Sequence, residues 1–432
     1  MLLKNKLIKN SIYYLLFNAI TGAIPFFLLP VLTVYLSTTQ YGIVSLFQTS
    51  LAFMIPIVSL SMGFYIDKFF FKVSKEELAE EIGNMLFILL TIVMLITFFI
   101  FFSQNLINYA LIGFPFKWVI VIPIVCFFST ITSFNLILLR NNDKVNHFGV
   151  FQVLQTLLNL GLSLLFVISL SMNWSGRLLG ITIAFSTTGI FSLLYIYNNG
   201  YFVFDFNLNK IKRILKFSAP LLFQGIATFV IFQSNIFIIN SVDGKSSVGI
   251  YSVALAFAAI MGVFQDAVIK TANPWFYKRL SSIKGFNKVE LVRANLAINI
   301  LFIIVAILVY IISIFLIKIF TESNYHSAIL YVLPLTLAVS FNGMYKLSSI
   351  YLINLEKTKL LSIITTVVAI VSIFLNYFLI SYYGLLGASI AFCLSLFLQF
   401  IVTAFFAQKL YPMPILKTII TEFSKIKFIN KK

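Results

Sequence analysis

The sequence predicts an all-α integral membrane protein with twelve transmembrane helices in two six-helix bundles. Hydrophobic residues make up 60% of the 432 residues and charged residues only 10%, which would leave a soluble domain without enough polar surface. The apolar residues fall into runs of roughly 20, the length that crosses a bilayer as a helix. In addition, the second half of the chain repeats landmarks of the first half at a constant offset of 207 residues.

Twelve apolar runs are long enough to span the hydrocarbon core. Their length and the prolines inside them favour helices, because membrane strands would alternate apolar and polar residues over about ten positions. The predicted spans are 12–36, 42–66, 82–102, 118–139, 149–171, 177–197, 217–240, 247–268, 296–317, 328–353, 360–382 and 385–408. A capping box from Ser74 to Glu77 predicts a short helix that leads into the third span.

The distribution of Lys and Arg predicts the orientation in the membrane. With the N-terminus in the cytoplasm, most of the 31 basic residues fall on the inner side, and Lys346 lies within a span. The outer side receives Lys117, Arg177, Lys245 and Lys318. Both termini are therefore expected in the cytoplasm. Because the charges lie in short loops, the net charge of +18 does not indicate nucleic-acid binding.

The repeat predicts how the two bundles are related. Gly42 falls on Gly249, and Phe134-Asn135 falls on Phe341-Asn342. Each half holds six spans, an even number, so both halves enter the membrane from the same side and should be related by a pseudo-twofold axis along the membrane normal. The N-terminal bundle is predicted over 1–205 and the C-terminal bundle over 206–432.

Two polar segments flank these bundles. The stretch from Asn198 to Lys216 is the predicted linker between them. After the last span, apolar residues recur at helical spacing among lysines, which predicts an amphipathic helix that lies on anionic lipid of the inner leaflet. These apolar residues are Ile415, Leu416, Ile419, Ile420 and Phe423.

The sequence lacks the motifs of common catalytic and metal sites. It contains no P-loop, HExxH or GxSxG, and His147 and His326 are far apart. Cys126 and Cys393 lie in apolar runs, which predicts packing roles. We therefore expect no enzyme, no cofactor and no metal, and any uphill work would depend on an ion gradient or on the substrate gradient.

Polar residues inside spans are candidates for lining a cavity, because each costs free energy unless it lines water or finds a partner. They also serve to hold membrane helices together, and the sequence leaves both interpretations open. The first span carries Asn18, Thr21, Gly22 and Pro25 on one face, and the seventh carries Gln224, Gly225, Thr228 and Asn235 in a similar arrangement. The repeat-related Asn135 and Asn342 are further candidates.

Three charged residues complete the candidate site. Lys346 could attract an anionic headgroup, or its long stem could extend to the inner interface. Its equivalent in the first half is the apolar Leu139, so the anion site is expected mainly in the second bundle. Arg140 is a second candidate cation. Asp266 is the candidate for ion coupling, with Lys270 one helical turn away as its expected partner.

Several segments resemble one family of membrane proteins. They are Asn10 to Leu16, Pro30 to Thr33, Tyr41 to Ile43, Glu356 to Lys359 and Tyr383 to Ala391. They are similar to segments of bacterial polysaccharide repeat-unit flippases of the O-antigen type, within the multidrug, oligosaccharidyl-lipid and polysaccharide exporter superfamily. The resemblance covers essentially the whole chain, although its motifs specify the superfamily better than the cargo.

The resemblance implies a V-shaped pair of bundles around a cationic cavity in the bacterial inner membrane. It implies transfer of undecaprenyl-diphosphate-linked oligosaccharide across that membrane by alternating access. The implied partners are the lipid-linked oligosaccharide, anionic membrane lipid and the polysaccharide polymerase machinery. A diphosphate cargo agrees with Lys346 and Arg140 as its electrostatic partners.

Three other functions stay open at this point. A drug or organic-cation antiporter of the same superfamily would be expected to hold a buried carboxylate in its N-terminal bundle, and no acidic residue lies deep within the first six predicted spans. A membrane polymerase or ligase of lipid-linked sugars would be expected to carry catalytic groups on a large outer loop, whereas the longest outer loop is only about Ser103 to Lys117. A flippase for another lipid-linked anion, such as a teichoic or peptidoglycan precursor, is the third.

Overall fold

A computed structural model describes residues 13, 17, 21, 22, 28–104, 114–280, 288–414 and 418. Throughout these residues the secondary structure is helical, and no strand occurs among them, as the composition predicts. Asn18 and almost all of the predicted amphipathic tail lie outside the described residues.

The described residues form twelve α-helices. They are α1 (28–35), α2 (Thr38–Ser59), α3 (Gly63–Phe69), α4 (Lys75–Phe102), α5 (Phe116–Asn141), α6 (Val145–Leu164), α7 (Asn173–Asn198), α8 (Leu208–Val242), α9 (Gly244–Leu280), α10 (Lys288–Phe320), α11 (Ile329–Asn354) and α12 (Thr358–Leu410). A π-helical turn, Leu165–Ser169, extends α6, and a 3-10 helix, Ser323–Ala328, precedes α11.

Ten of the described helices are long and apolar enough to cross a membrane, so the chain is a multi-pass membrane protein. One of them, α12, runs over 53 residues and contains the last two predicted spans. Gly384 breaks it with φ 53° and ψ −134°, a conformation that glycine adopts without a steric penalty. About half of the first predicted span, 12–36, lies outside the described residues.

Two predicted boundaries are wrong. The second span, predicted as one helix over 42–66, ends at Ser59 because Leu60 and Ser61 both adopt positive φ, at 45° and 58°. A separate short helix, α3, then follows. The predicted linker is also too long, because the Asn207 side chain accepts hydrogen bonds from the backbone of Asn209 and Lys210 and starts α8 at Leu208.

Capping residues determine where two other helices, α4 and α2, begin. Ser74 accepts a hydrogen bond from the Glu77 backbone at 3.1 Å, so the predicted start at this cap is confirmed. However, the helix continues without interruption to Phe102, so no separate short helix precedes the third span. Ser37 and Gln40 form a reciprocal capping box at the start of α2, which the sequence reasoning did not identify.

The chain forms two compact units. The first comprises Met1–Ser252 together with Phe320–Tyr325, and the second comprises Val253–Ile319 together with His326–Lys432. The predicted bundle boundary at 205/206 stays a prediction. In the first unit, buried Phe47 packs edge-on against Trp118 with 6.1 Å between the ring centroids. In the second unit, Phe276 and Tyr351 form a similar pair at 6.3 Å.

Within the first unit, the starts of α2 and α9 cross at backbone contact. A Cβ on Gly42 would overlap the Lys245 carbonyl, and one on Gly249 would overlap the Thr38 carbonyl. The offset of 207 residues relates Gly42 to Gly249 and also Thr38 to Lys245. The contact is therefore reciprocal, as a twofold relation requires. The Thr38 and Ser246 hydroxyls also hydrogen-bond at 2.8 Å.

Adding a methyl group at this crossing should destabilise the protein. Gly42→Ala and Gly249→Ala force two backbones apart, and overpacking of this kind costs about 1–3 kcal/mol of unfolding free energy. The matched control is Gly161→Ala in α6, where a Cβ meets nothing within 4 Å. Thermal unfolding of the purified proteins in detergent measures the effect. Equal midpoints for Gly42→Ala and Gly161→Ala would show that the crossing tolerates a side chain.

Candidate functional site

In the first unit, α2, α3 and α5 line a cavity of about 570 Å³, which we call the polar cavity. Its wall combines hydroxyl groups, aromatic rings and one pair of opposite charges. The lining includes Ser59, Ser61, Phe64, Asp67, Ser129, Thr130, Ser133, Phe134 and Arg140. Hydroxyl groups and aromatic faces in one cavity are suited to a polar ligand such as a sugar, and the charged pair can act on an ionic group.

The charged pair consists of Arg140 at the end of α5 and Asp67 on α3. Arg140 Nη2 donates to both carboxylate oxygens at 2.8 and 2.7 Å, and Asn141 Nδ2 donates to Oδ1 at 3.1 Å. The Arg140 side chain is 50% exposed and that of Asp67 is 35% exposed. Exposed pairs contribute little to stability, typically about 0–1 kcal/mol. Another anion can therefore replace Asp67 at a small energetic cost.

The second unit holds a corresponding pair, between Lys346 on α11 and Asp266 on α9. Lys346 Nζ lies 2.8 Å from Asp266 Oδ1, and both side chains are partly exposed. The predicted pairing of Asp266 with Lys270 is wrong, because the carboxylate turns towards α11 instead of along its own helix.

The cations of the two pairs occupy nearly equivalent places in the repeat. Subtracting the offset of 207 places Lys346 on position 139, next to Arg140. The aspartates match less well, because Asp266 falls on position 59, eight residues before Asp67. The first unit thus contains a counterpart to the Lys346 site, although alignment at a fixed offset pairs Lys346 with the apolar Leu139.

The repeat-related asparagines are both buried between helices. Asn135 Nδ2 lies 3.4 Å from the Ser192 hydroxyl of α7. Asn342 Oδ1 accepts from Gln265 Nε2 at 3.1 Å. Gln265 precedes Asp266, and Asn342 lies one turn before Lys346, so α9 and α11 are joined at two successive levels. Asn342 therefore helps to position the Lys346 pair.

The candidates on α8 lie on its exposed surface. Gln224 and Thr228 are both exposed, and the Thr228 hydroxyl donates to the Gln224 carbonyl at 2.9 Å. Between them, Gly225 faces Pro56, where a Cβ would come within 3.0 Å of the proline ring. Pro56 also lines the polar cavity. Gly225 therefore packs beside the cavity of the first unit, whereas Gln224 and Thr228 are not among the residues that line it. Asn18 lies outside the described residues.

Sequence reasoning missed a buried carboxylate, that of Glu81 at the start of α4. Glu81 is fully buried, forms an ion pair with Arg213 and accepts a hydrogen bond from the Tyr65 hydroxyl at 3.0 Å. Arg213 also binds Glu77 at 3.0 Å. The acidic run at the start of α4 and the basic run at the start of α8 were the available signal. Arg213 and Tyr65 both bind Oε1 of Glu81, so Arg213 neutralises this carboxylate, whereas Oε2 is buried without a hydrogen-bond partner.

Arg177 is a second residue whose contacts the sequence did not indicate. The charge distribution predicts it on the outer side of the membrane, which stays a prediction, and the residue lies in the second turn of α7, only 4% exposed. Its Nη1 donates to the Asn159 side chain and to the Ser163 hydroxyl of α6. The guanidinium thus ties α6 to α7.

Removing Arg213 should destabilise the protein far more than removing Arg140. Arg213→Gln leaves a buried carboxylate uncompensated, which costs about 3–5 kcal/mol. Arg140→Gln removes an exposed pair, for which we expect about 0–1 kcal/mol. Thermal unfolding of the two purified variants in detergent compares these losses of stability. The double variant Arg213→Gln with Glu81→Gln should recover most of the loss, and failure to recover would show that the ion pair is not its cause.

In the described part of the chain, no group of three or more His, Cys, Asp or Glu side chains is placed to hold a metal ion.

Residues 7–279, more than half of the chain, match the family model described as "Polysaccharide biosynthesis protein". No curated protein sequence matches the chain.

Solved structures share the fold. "Lipid II flippase MurJ, inward closed conformation" is 16% identical, covers 96% of this chain and 92% of its own, and superposes with a TM-score of 0.73. A multidrug resistance MATE family transporter of the MOP superfamily in an inward-facing conformation is 13% identical, with 93% and 94% coverage and a TM-score of 0.71. A MOP superfamily transporter from Pyrococcus furiosus is 15% identical, with 93% and 92% coverage and a TM-score of 0.55. At such low identities these likenesses establish the fold alone.

Proposed function

The chain belongs to the polysaccharide biosynthesis protein family, and from this premise we propose that it is a flippase for undecaprenyl-diphosphate-linked oligosaccharide repeat units. Family membership gives a role in polysaccharide biosynthesis, and the proposal adds transport, the cargo, the bacterial inner membrane and the alternating-access mechanism. The observation that carries the proposal is the polar cavity of the first unit, with the exchangeable Arg140–Asp67 pair in its wall.

The chemistry of the cavity fits such a cargo. Serine and threonine hydroxyls can exchange hydrogen bonds with sugar hydroxyls, and Phe64, which is 62% exposed, offers an apolar face to a sugar ring. The guanidinium of Arg140 presents a planar fork of donors that suits phosphate. A diphosphate that replaces Asp67 would keep the arginine paired while it binds.

The Lys346–Asp266 pair in the second unit can exchange its aspartate for an anionic group of the cargo in the same way, and this exchange would link cargo binding to ion binding. When an anionic group takes Lys346, the Asp266 carboxylate loses its cationic neighbour. The freed carboxylate can then attract a cation, and we assign the ion-coupling role to Asp266 on this ground.

The antiporter alternative depends on an available carboxylate in the N-terminal half. Glu81 is buried there, but Arg213 and Tyr65 occupy it at the start of α4. The described residues therefore favour an anionic cargo over an organic cation.

Lys346→Ala should reduce surface polysaccharide strongly in a strain that depends on this protein. Loss of one charge-assisted contact of about 1.5–3 kcal/mol predicts a decrease of roughly 10- to 100-fold in transfer, whereas Lys346→Arg should retain most of it. Lys72→Ala, at an exposed lysine after α3, is the control. Polymer is measured at matched protein levels. Normal polymer with Lys346→Ala would contradict the proposed role of this lysine.

A disulfide across the α2–α9 crossing tests alternating access. The Thr38 and Ser246 hydroxyl oxygens are 2.8 Å apart, so cysteines at both positions lie within disulfide reach. In a background with Cys126→Ala and Cys393→Ala, oxidation should stop transfer and reduction should restore it, because the crossing must part during the cycle. Maleimide labelling measures the bridged fraction, and each single cysteine variant is the control. Full transfer by quantitatively bridged protein would exclude movement at this contact.

A further inference from the structure

A second cavity in the first unit, of about 670 Å³, is lined by α2, α4, α5 and α8. Its walls are aliphatic and aromatic, with Phe53, Met54, Ile96, Ile122, Phe229 and Phe237 among them. One lining residue, Ser50, carries a hydroxyl, and this hydroxyl donates to the Leu46 carbonyl at 2.8 Å. The described walls therefore offer no unoccupied polar group to a ligand, and the chemistry that fits them is hydrocarbon. We call this cavity the apolar chamber.

The apolar chamber opens on a surface that faces lipid. Leu95 and Phe99 of α4 line it, and both are 62% exposed. The exposed surface of α4 continues with Met94 and Phe98, which are apolar as well. A membrane helix with such a surface contacts acyl chains, so a chain can enter the chamber from the bilayer without crossing water.

Helix α2 separates the apolar chamber from the polar cavity. At 3.6 residues per turn, Phe53, Met54 and Ile57 share one side of the helix, and this side lines the chamber. Ile55, Pro56 and Ser59 lie on the opposite side and line the polar cavity. One helix thus presents a polar compartment and an apolar compartment on its two sides. A ligand with a polar head and a hydrocarbon chain matches this pairing.

The distance along α5 between the two cavities indicates which class of lipid can reach both. Ile122 lines the apolar chamber and Arg140 lines the polar cavity, and these residues are 18 positions apart on α5. They are therefore separated by about 27 Å of helix, close to the full hydrocarbon thickness of about 30 Å. A phospholipid acyl chain reaches across about half of that thickness. A lipid with its phosphate at Arg140 needs a much longer chain to reach the chamber.

We propose that the apolar chamber binds the polyprenyl chain of the lipid-linked cargo, an inference that rests on the proposed function. The chain enters between the exposed Leu95 and Phe99 and lies against the aromatic residues of α2 and α8. The sugar and diphosphate lie on the other side of α2. The chamber thus retains the lipid part of the cargo at the first unit while the polar part occupies the cavity.

Filling the chamber tests this inference. The test variants are Ile96→Trp and the double variant Met54→Trp with Ile96→Trp, and the control is Phe98→Trp, which adds the same ring on the lipid-facing side of α4. The purified full-length proteins are mixed with undecaprenyl phosphate or with phosphatidylglycerol, and retained lipid is counted by native mass spectrometry. Thermal unfolding shows whether each variant is folded. If the double variant is unfolded, the single variant Ile96→Trp decides the test.

We expect the filled variants to retain undecaprenyl phosphate about tenfold less than the wild type, a change of about 1.4 kcal/mol, and Phe98→Trp to retain it normally. Phosphatidylglycerol should be unaffected in every variant. Equal retention of undecaprenyl phosphate by filled and wild-type protein, or no retention by the wild type, would overturn the inference. Parallel loss of phosphatidylglycerol would also overturn it, because the chamber would then be a general lipid niche.

The same experiment separates this inference from the proposed function. If the filled variants lose undecaprenyl phosphate while Lys346→Ala cells make normal polysaccharide, the chamber stands and the role of the charged pair fails. If Lys346→Ala abolishes polysaccharide while filling leaves lipid retention unchanged, the proposed function stands and the chamber does not bind the chain.

Discussion

The absence of water in the bilayer core is the constraint on which the rest of the structure depends, because every polar group there needs a partner within the protein or a cavity to line. Most hydroxyls meet this need within their own helix, as when Thr130 donates to the Cys126 carbonyl one turn earlier. Amides pair between helices, as Gln265 does with Asn342. Against this background, polar side chains that stay partly exposed are conspicuous. Arg140 and Lys346, each paired with an aspartate, are the clearest of them.

Composition and charge were enough to predict the class of protein and the existence of most helices, since a span requires only length and apolarity. Helix ends depend on other chemistry. The left-handed Leu60 and Ser61 end α2 within a run predicted as one continuous span, and the Asn207 cap begins α8 within a polar run predicted as linker. Likewise, residue type and position singled out Lys346 and Asp266 separately. Their pairing was not predictable, because the partner lies on another helix and spacing along one helix favoured Lys270.

The offset of 207 residues is kept at the glycines of the crossing but not at the charged pairs, for a physical reason. Gly42 and Gly249 align at the constant offset because their contact is backbone against backbone, which leaves no room for a Cβ. In the charged pairs, Arg140 and Lys346 align to within one position, whereas Asp67 and Asp266 differ by eight positions. Long flexible side chains can compensate for such shifts, whereas a carbonyl oxygen packed on a glycine cannot move away from it. This glycine pair therefore reports the repeat more faithfully than the charged pairs do.

Helix α2 links these features within the first unit. Its start forms the crossing with α9, its two sides line the apolar chamber and the polar cavity, and its end is the break at Leu60 and Ser61. Beyond the break, α3 packs against α5, where a Cβ on Gly63 would come within 2.8 Å of Ile137. Asp67 therefore keeps its geometry towards Arg140 through α3 and α5, without a continuous helix to α2. A displacement of α2 that opens the crossing or reshapes either cavity can thus leave the charged pair intact, so that the geometry of this pair and the position of α2 depend on separate contacts.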